Sequence, residues 1–326
     1  MLASSESRAA GSRPFAGPAS LAAGGLRIGL ATPLIPLKDN IPSSRFPVLA
    51  VILIGINVAV FLWQTQYPTD PALDRLGLGA IDQSAIEYGA IPQRITNPED
   101  SECLLGFLPQ GRGERLAPEV VCEGTPELRQ ARAVGVEART QGFDADPIPL
   151  EQAAWWLTIL SSMFMHGGIL HLGGNMLFLW IFGANIEDSM SRLRFLAFYL
   201  ASGVVAVYAQ ALIDTSATVP TIGASGAVAG VLGAYALLFP RARVLSLVFI
   251  VYFVTLIEVP AFILLGVWFV LQFLPVVGQT AIPDLAGDPG VAYLAHVGGF
   301  VFGLAAIKLI ANRYRPPPVE PRYPVY

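Results

Sequence analysis

The chain has 326 residues, of which 54% are hydrophobic and only 13% are charged, and its mean hydropathy is +0.57. A soluble domain normally carries about a quarter of charged residues, so the composition excludes an ordinary soluble protein and predicts a membrane protein. The net charge of −4 comes without a basic block interleaved with aromatic residues, which excludes nucleic acid as an expected partner.

The two ends of the chain are polar or proline-rich. Residues 1–45 are rich in Ala, Gly, Ser and Pro, with more basic than acidic residues, and we interpret them as a disordered basic tail. The same Arg-rich, acid-poor composition also resembles an organelle transit peptide, although it lacks one clear amphipathic helix. Residues 312–326 predict a proline-rich, disordered C-terminal tail.

The predicted domain, residues 46–311, begins with an uncharged apolar segment at 46–66, which is close to the roughly 20 residues that cross a bilayer. Residues 68–150 follow as a long loop in which acidic residues outnumber arginines, so we expect a solvated, partly structured insertion on one side of the membrane. Cys103 and Cys122 lie in this loop, either as a disulfide or as free thiols. Two cysteines exclude a cysteine-built metal cluster, and we expect no metal and no cofactor.

Residues 152–186 carry no charge, but the segment is too long for one upright helix and too short for two comfortable spans. Dividing it at His166 gives an interfacial or re-entrant element at 153–165 and a second span at 168–186. The next apolar segments predict a third span at 195–213, a fourth at 221–239 and a sixth at 291–311. The intervening apolar run, 244–277, has a length that permits one crossing or two.

Positive charges decide between these topologies. Arginines follow the second span (Arg192, Arg194) and the fourth (Arg241, Arg243), whereas residues 214–220 and 278–290 contain neither Lys nor Arg. Positive residues favour the cytoplasmic side, and only a single crossing within 244–277 places all of these arginines and the basic N-terminal tail there. The prediction is an all-α membrane protein, a bundle of six transmembrane helices with both termini in the cytoplasm and residues 68–150 outside.

In this topology four polar residues lie near the outer ends of three spans: His171 and Asn175 on the second, Ser225 on the fourth and His296 on the sixth. At ~1.5 Å per residue each lies within roughly 10 Å of its outer end, so the four share a depth and can line one cavity. His166 lies at the same boundary. Each residue alone also fits a structural role in helix packing, but polar groups gathered at one membrane depth favour chemistry.

The chemistry that these residues favour is acyl transfer. A serine becomes a nucleophile when a histidine accepts its proton, which pairs Ser225 with His296, while His171, Asn175 and backbone N–H groups supply donors for an oxyanion. These spans carry no carboxylate at this depth, so we expect a dyad. Small residues leave room for it: Gly223 and Gly226 flank the serine, and Gly299 continues a small-residue ridge beside His296.

Three motifs now stand in register on separate spans: "HGGILHLGGNM", "GASGAVAGVLGA" and "AHVGGFVFG". With these motifs, residues 33–311 strongly resemble the rhomboid family of intramembrane serine proteases. The resemblance implies a six-helix core that cleaves single-span membrane proteins in or next to their transmembrane segments within the lipid bilayer. It implies that Ser225 is the nucleophile, that His296 is the general base, and that His171, Asn175 and the Ser225 N–H hold the oxyanion.

The resemblance also implies that the fifth helix and the next loop, loosely residues 260–290, gate substrate entry, while 244–257 lies along the inner interface. The sequence departs from many members at Ala229, where an aromatic ring usually stacks on the catalytic histidine, so another group must hold His296. Two other functions stay open: a catalytically inactive rhomboid-like protein that binds membrane clients, and a proton-coupled transporter. The presence of both Ser225 and His296 argues against the first, and the lack of an inverted repeat in the sequence argues against the second. We prefer a bacterial plasma membrane as the location, with an organelle membrane second.

Overall fold

A computed structural model describes residues 34–100, 102–110, 115–250, 253–280 and 291–311. The predicted tails at 1–33 and 312–326, and residues 281–290 of the expected gate, lie outside these ranges. The helices are α1 (Val48–Gln64), α2 (Pro71–Arg75), α3 (Ala80–Tyr88), α4 (Pro92–Thr96), α5 (Pro126–Thr140), α6 (Trp155–Ser161), α7 (Ile169–Asp188), α8 (Arg192–Ile213), α9 (Ser225–Leu238), α10 (Ala261–Thr280) and α11 (Tyr293–Ile310). The strands are β1 (Leu34–Asp39), β2 (Cys103–Gln110), β3 (Arg115–Cys122), β4 (Ile148–Pro149), β5 (Arg243–Ile250) and β6 (Phe253–Pro260).

Six apolar helices, α1 and α7 to α11, correspond to the six predicted spans. By length and composition, four described helices are long and apolar enough to cross a membrane, namely α7, α8, α10 and α11, whereas α1 and α9 are shorter apolar helices. The short helix α9 is the centre of the bundle, and its residues from Gly226 to Tyr235 are all buried. It packs against α7, α8, α10 and α11. The predicted element at 153–165 is α6, followed by a 3₁₀ turn at Ser162–Phe164.

Helices α9 and α11 approach each other backbone to backbone. A Cβ added at Gly299 would collide with the carbonyl oxygen of Gly226, and one added at Gly303 would collide with that of Gly230. Small residues permit such close packing because they leave no side chain between two helices. The expectation that Gly299 lies on a close-packing ridge of the sixth span agrees with this contact, and Gly226 provides the facing surface on α9.

The starts of α7, α9 and α11 define one end of the bundle, which we name the site end. At the opposite end the Glu187 carboxylate accepts hydrogen bonds from the backbone N–H groups of Leu49 (3.1 Å) and Ala50 (2.9 Å). It thereby satisfies donors that the first turn of α1 leaves free.

Nearby, Asp39 accepts hydrogen bonds from Tyr235 on α9 and Asn185 on α7. Burial raises the pKa of the Asp39 carboxyl to about 6.

Two small antiparallel sheets correct the all-α prediction. The first, in the order β1-β5-β6, lies at the opposite end and contains the segment 244–257, which pairs as a hairpin with Val244 opposite Val259. Along β5 the side chains of Val244, Ser246 and Val248 are buried and alternate with more exposed ones, which is the period of a strand. Strand β1 shows that the predicted disorder of residues 1–45 is wrong for 34–39. The Ala261 N–H donates to the Ala242 carbonyl at 2.8 Å and so fastens the start of α10 to this sheet.

The second sheet, in the order β3-β2-β4, belongs to the insertion at 68–150, which is folded as a small unit. Cys103 and Cys122 face each other on β2 and β3 and form a disulfide, which answers the question that the sequence left open. The insertion also reaches the bundle: Ala90 and Thr221 exchange two backbone hydrogen bonds, of 3.1 and 2.8 Å. These hydrogen bonds therefore connect the segment before α9 to the insertion.

The close contact of α9 with α11 predicts that a methyl group added at the crossing lowers the stability of the protein. Gly303→Ala places a Cβ against the Gly230 backbone, and such overpacking typically destabilises by about 1–3 kcal/mol, so we expect a lower thermal unfolding temperature in detergent. Gly55→Ala is the matched control, since a Cβ there has no atom within 4 Å. Equal unfolding temperatures for the two variants would contradict the backbone contact.

Candidate active site

Ser225 is the first residue of α9, so the backbone N–H groups around it belong to the unpaired first turn of a helix. The chain reaches it through Gly223, whose φ of 128° is a conformation that side chains rarely adopt. A Cβ on Gly223 would lie 2.8 Å from ring atoms of His171. The Gly223 N–H donates to the Ser162 carbonyl at 2.9 Å, which fixes the turn. Only glycine fits here, because both the backbone angle and the adjacent ring exclude a side chain.

His296 lies in the first turn of α11, and its Nε2 is 2.8 Å from the Ser225 Oγ. Its other ring nitrogen, Nδ1, is 2.8 Å from the Oε1 atom of Gln272 on α10. An amide oxygen only accepts hydrogen bonds, so Nδ1 carries the ring hydrogen and Nε2 is left to accept the Ser225 hydroxyl proton. The structure therefore brings together a hydroxyl and a base in the arrangement that activates a serine.

His171 lies in the first turn of α7 and borders Gly223. The Gly167 N–H points to His171 Nδ1 at 3.4 Å, so the hydrogen of the neutral ring is on Nε2, the atom next to Gly223. This ring is exposed, so it is free to donate to an oxygen bound beside Ser225. Asn175, one turn further along α7, is buried and donates one amide N–H to the His171 carbonyl at 3.0 Å, which leaves its second N–H.

His166 is fully buried and stands edge-on to His171, with 5.0 Å between the ring centroids. Its backbone N–H donates to the Gln64 Oε1 at 2.9 Å, which ties the segment before α7 to the end of α1. Among the described residues, neither ring nitrogen of His166 has a hydrogen-bond partner. The ring thus packs behind His171 and does not contact the Ser225 hydroxyl.

Sequence reasoning missed two residues of α10, Gln272 and Trp268. The Trp268 ring lies against His296, with 6.0 Å between centroids. A signal for Gln272 existed in the sequence, since it is the only amide or charged side chain between residues 261 and 278. A polar residue inside an apolar span is a functional hypothesis by default.

Several apolar helices long enough to cross a membrane, together with a hydrogen-bonded serine and histidine at one end of their bundle, define an integral membrane protein with a serine–histidine site. Residues 152–313, which include Ser225, His296, His171 and Asn175, match the family model described as the Rhomboid domain. Through this part the chain belongs to the rhomboid family, as the three motifs predicted.

Curated relatives agree with this family. The chain is 32% identical over 152 residues to "Rhomboid protein 1, mitochondrial" of Saccharomyces cerevisiae, a match that covers 45% of this chain and 40% of the yeast protein. It is 33% identical over 94 residues to "Presenilin-associated rhomboid-like protein, mitochondrial" of Bos taurus, covering 28% of this chain and 25% of the relative. It is 39% identical over 85 residues to "Rhomboid protease GluP" of Bacillus subtilis, covering 26% and 16%.

Each match thus spans less than half of the relative's length. The apolar helices indicate a multi-pass membrane protein. Two of these relatives are named mitochondrial, so the comparisons do not support the preference for a bacterial plasma membrane over an organelle membrane.

The position of Gly223 gives a test of the site that leaves its reactive groups in place. Gly223→Ala forces a methyl group against the His171 ring in a strained backbone conformation, so we expect Ser225 to lose at least about 10-fold in its rate of labelling by a fluorophosphonate, which is about 1.4 kcal/mol. Gly174→Ala is the control, because a Cβ there meets no atom within 4 Å. Unchanged labelling of Gly223→Ala would show that this turn does not set the site.

Proposed function

We propose that this protein is an intramembrane serine endopeptidase that cleaves single-span membrane proteins in or next to their transmembrane segments. The observation that carries the proposal is the 2.8 Å contact between Ser225 Oγ and His296 Nε2, because a histidine in this position makes the hydroxyl nucleophilic. The name of the Bacillus subtilis relative, a rhomboid protease, supports the same activity.

In the proposed reaction Ser225 Oγ attacks the carbonyl carbon of the scissile peptide bond as its proton passes to His296 Nε2. The negative charge that develops on the carbonyl oxygen is held by the N–H of Ser225 and by Nε2–H of His171, with Asn175 supplying a further N–H. The tetrahedral intermediate collapses when the imidazolium gives its proton to the leaving amine. Water, deprotonated by the same histidine, then attacks the acyl ester and releases the second product together with the Ser225 hydroxyl.

Purified protein in liposomes with a model single-span substrate tests this proposal. We expect cleavage by the unmodified protein and covalent labelling of Ser225 by a fluorophosphonate, and we expect Ser225→Ala and His296→Ala each to abolish both. Ser216→Ala, at an exposed serine outside the site, is the matched control and keeps both activities. Cleavage that persists in Ser225→Ala would refute the mechanism, and an unmodified protein without cleavage or labelling would favour an inactive, client-binding member of the family.

The same cleavage assay measures how much each oxyanion donor contributes to kcat. Removing one donor of an oxyanion hole typically lowers kcat by about 10²–10³-fold, so His171→Ala and Asn175→Ala should each weaken turnover without abolishing it. A variant at either position with unchanged kcat would remove that residue from the proposed site.

We also propose that the six apolar helices all cross the membrane, with both termini in the cytoplasm and the insertion at 68–150 on the other side. The arginines at the ends of α7 and α9 support this orientation, since they lie at the end of the bundle opposite Ser225. A reporter that is active only outside the cytoplasm should be inactive when fused to the C-terminus and active when inserted at residue 142, a turn in the insertion. The reverse pattern would overturn the topology.

A further inference from the structure

We infer that Gln272 is a positioning residue that sets the tautomer and orientation of His296, so that the reactive unit is a serine–histidine–glutamine triad and not an isolated dyad. This inference rests on the proposed function. It concerns a residue of α10, which lies outside the three motifs that define the site.

The packing of α10 shows that Gln272 is directed at the histidine. Gln272 and Trp268 are one turn apart and both face α11, where Gln272 Oε1 meets His296 Nδ1 at 2.8 Å and the Trp268 ring contacts the rings of His296 and Phe300. The other face of α10 is apolar and exposed, at Val267 (55%), Val270 (49%) and Leu271 (50%), among others. A glutamine is unfavourable in an apolar span, so its place on the face that meets His296 is a functional signal.

The hydrogen bond has a chemical consequence for the base. A neutral imidazole has one N–H, and the Gln272 oxygen retains it on Nδ1, so the lone pair is on Nε2, opposite the Ser225 hydroxyl. When Nε2 takes the serine proton, the ring becomes a cation, and a hydrogen bond from its Nδ1–H to an oxygen becomes stronger because the donor is charged. In serine hydrolases a buried carboxylate performs both tasks; here a neutral amide performs them without placing a second charge in the bundle.

The inference also explains how His296 is held without an aromatic neighbour at Ala229. The His296 ring is hydrogen bonded to Gln272 and contacts the Trp268 ring, and both of these residues belong to α10. Correct alignment of the base therefore requires α10 to be packed against α11.

Kinetics of three variants test the inference. Gln272→Leu keeps the approximate volume but removes the acceptor, and we expect kcat to fall about 10-fold, which corresponds to about 1.4 kcal/mol, with KM unchanged. Gln272→Glu keeps an acceptor and should retain kcat, while the acidic limb of its pH–rate profile moves to higher pH because a carboxylate favours the protonated imidazole. Leu271→Ala, on the exposed face of the same helix, is the matched control and should match the unmodified protein.

A spectroscopic measurement separates this inference from the proposed function. The chain has three histidines, so ¹⁵N-histidine labelling gives few resonances, and His296→Ala identifies those of His296. We expect the Nδ1–H tautomer in the unmodified protein and a shift toward Nε2–H in Gln272→Leu, whether or not the protein cleaves the substrate.

The outcomes are distinct. If the unmodified protein neither cleaves nor is labelled at Ser225, the proposed function fails, while loss of the Nδ1–H tautomer in Gln272→Leu would still support the positioning role. If the unmodified protein is active and Gln272→Leu has the kcat and tautomer of Leu271→Ala, the inference is wrong. Should Gln272→Leu fail to fold, Gln272→Glu decides: an unshifted pH–rate profile overturns the inference.

Discussion

The close approach of the α9 and α11 backbones is the constraint on which the site depends. Ser225 and His296 come from different helices, 71 residues apart in sequence, and their side chains meet at 2.8 Å only because glycines at the crossing allow the two helices to touch. A hydrogen bond weakens steeply beyond this distance, so a separation of even one ångström between the helices would disconnect the base from the hydroxyl. The close packing of α9 against α11 is therefore also a requirement for the contact between Ser225 and His296. Glycines, which have no side chain, meet this requirement.

The second requirement is that the backbone before Ser225 stays in the turn that Gly223 permits. The Gly223 N–H donates a hydrogen bond to the Ser162 carbonyl in the bundle. Thr221 is hydrogen bonded through its backbone to Ala90 in the insertion. These backbone hydrogen bonds hold the turn in the conformation that places Ser225 beside His171 and His296. The insertion is thus part of the framework of the site, although none of its described residues contacts Ser225 or His296 through a hydrogen bond.

Sequence reasoning was most successful where the signal was a polar residue in an apolar span. Ser225 and His296 were paired from their common depth, and the structure places them in contact. Gln272 gives the same signal but was missed, because it stands outside the family motifs and the expected dyad left no role for it. The hairpin of β5 and β6 was missed because apolar residues on both faces hide the period of a strand from hydropathy. The state of Cys103 and Cys122 was open because the sequence does not determine whether two thiols are oxidised to a disulfide.

Helix α10 is held at its start, and the rest of the helix extends from this fixed end. Ala261 is hydrogen bonded to Ala242 beside the sheet, whereas Trp268 and Gln272 lie about two and three turns further along the helix, whose far face is exposed. A tilt about the fastened end displaces these two residues far more than it displaces Ala261. Under the proposed function, a tilt of α10 that admits a polypeptide on this side would release His296 from Gln272 and Trp268, and the histidine would be realigned only when the helix returns. Under that proposal, substrate entry and reactivity would be successive states of one helix.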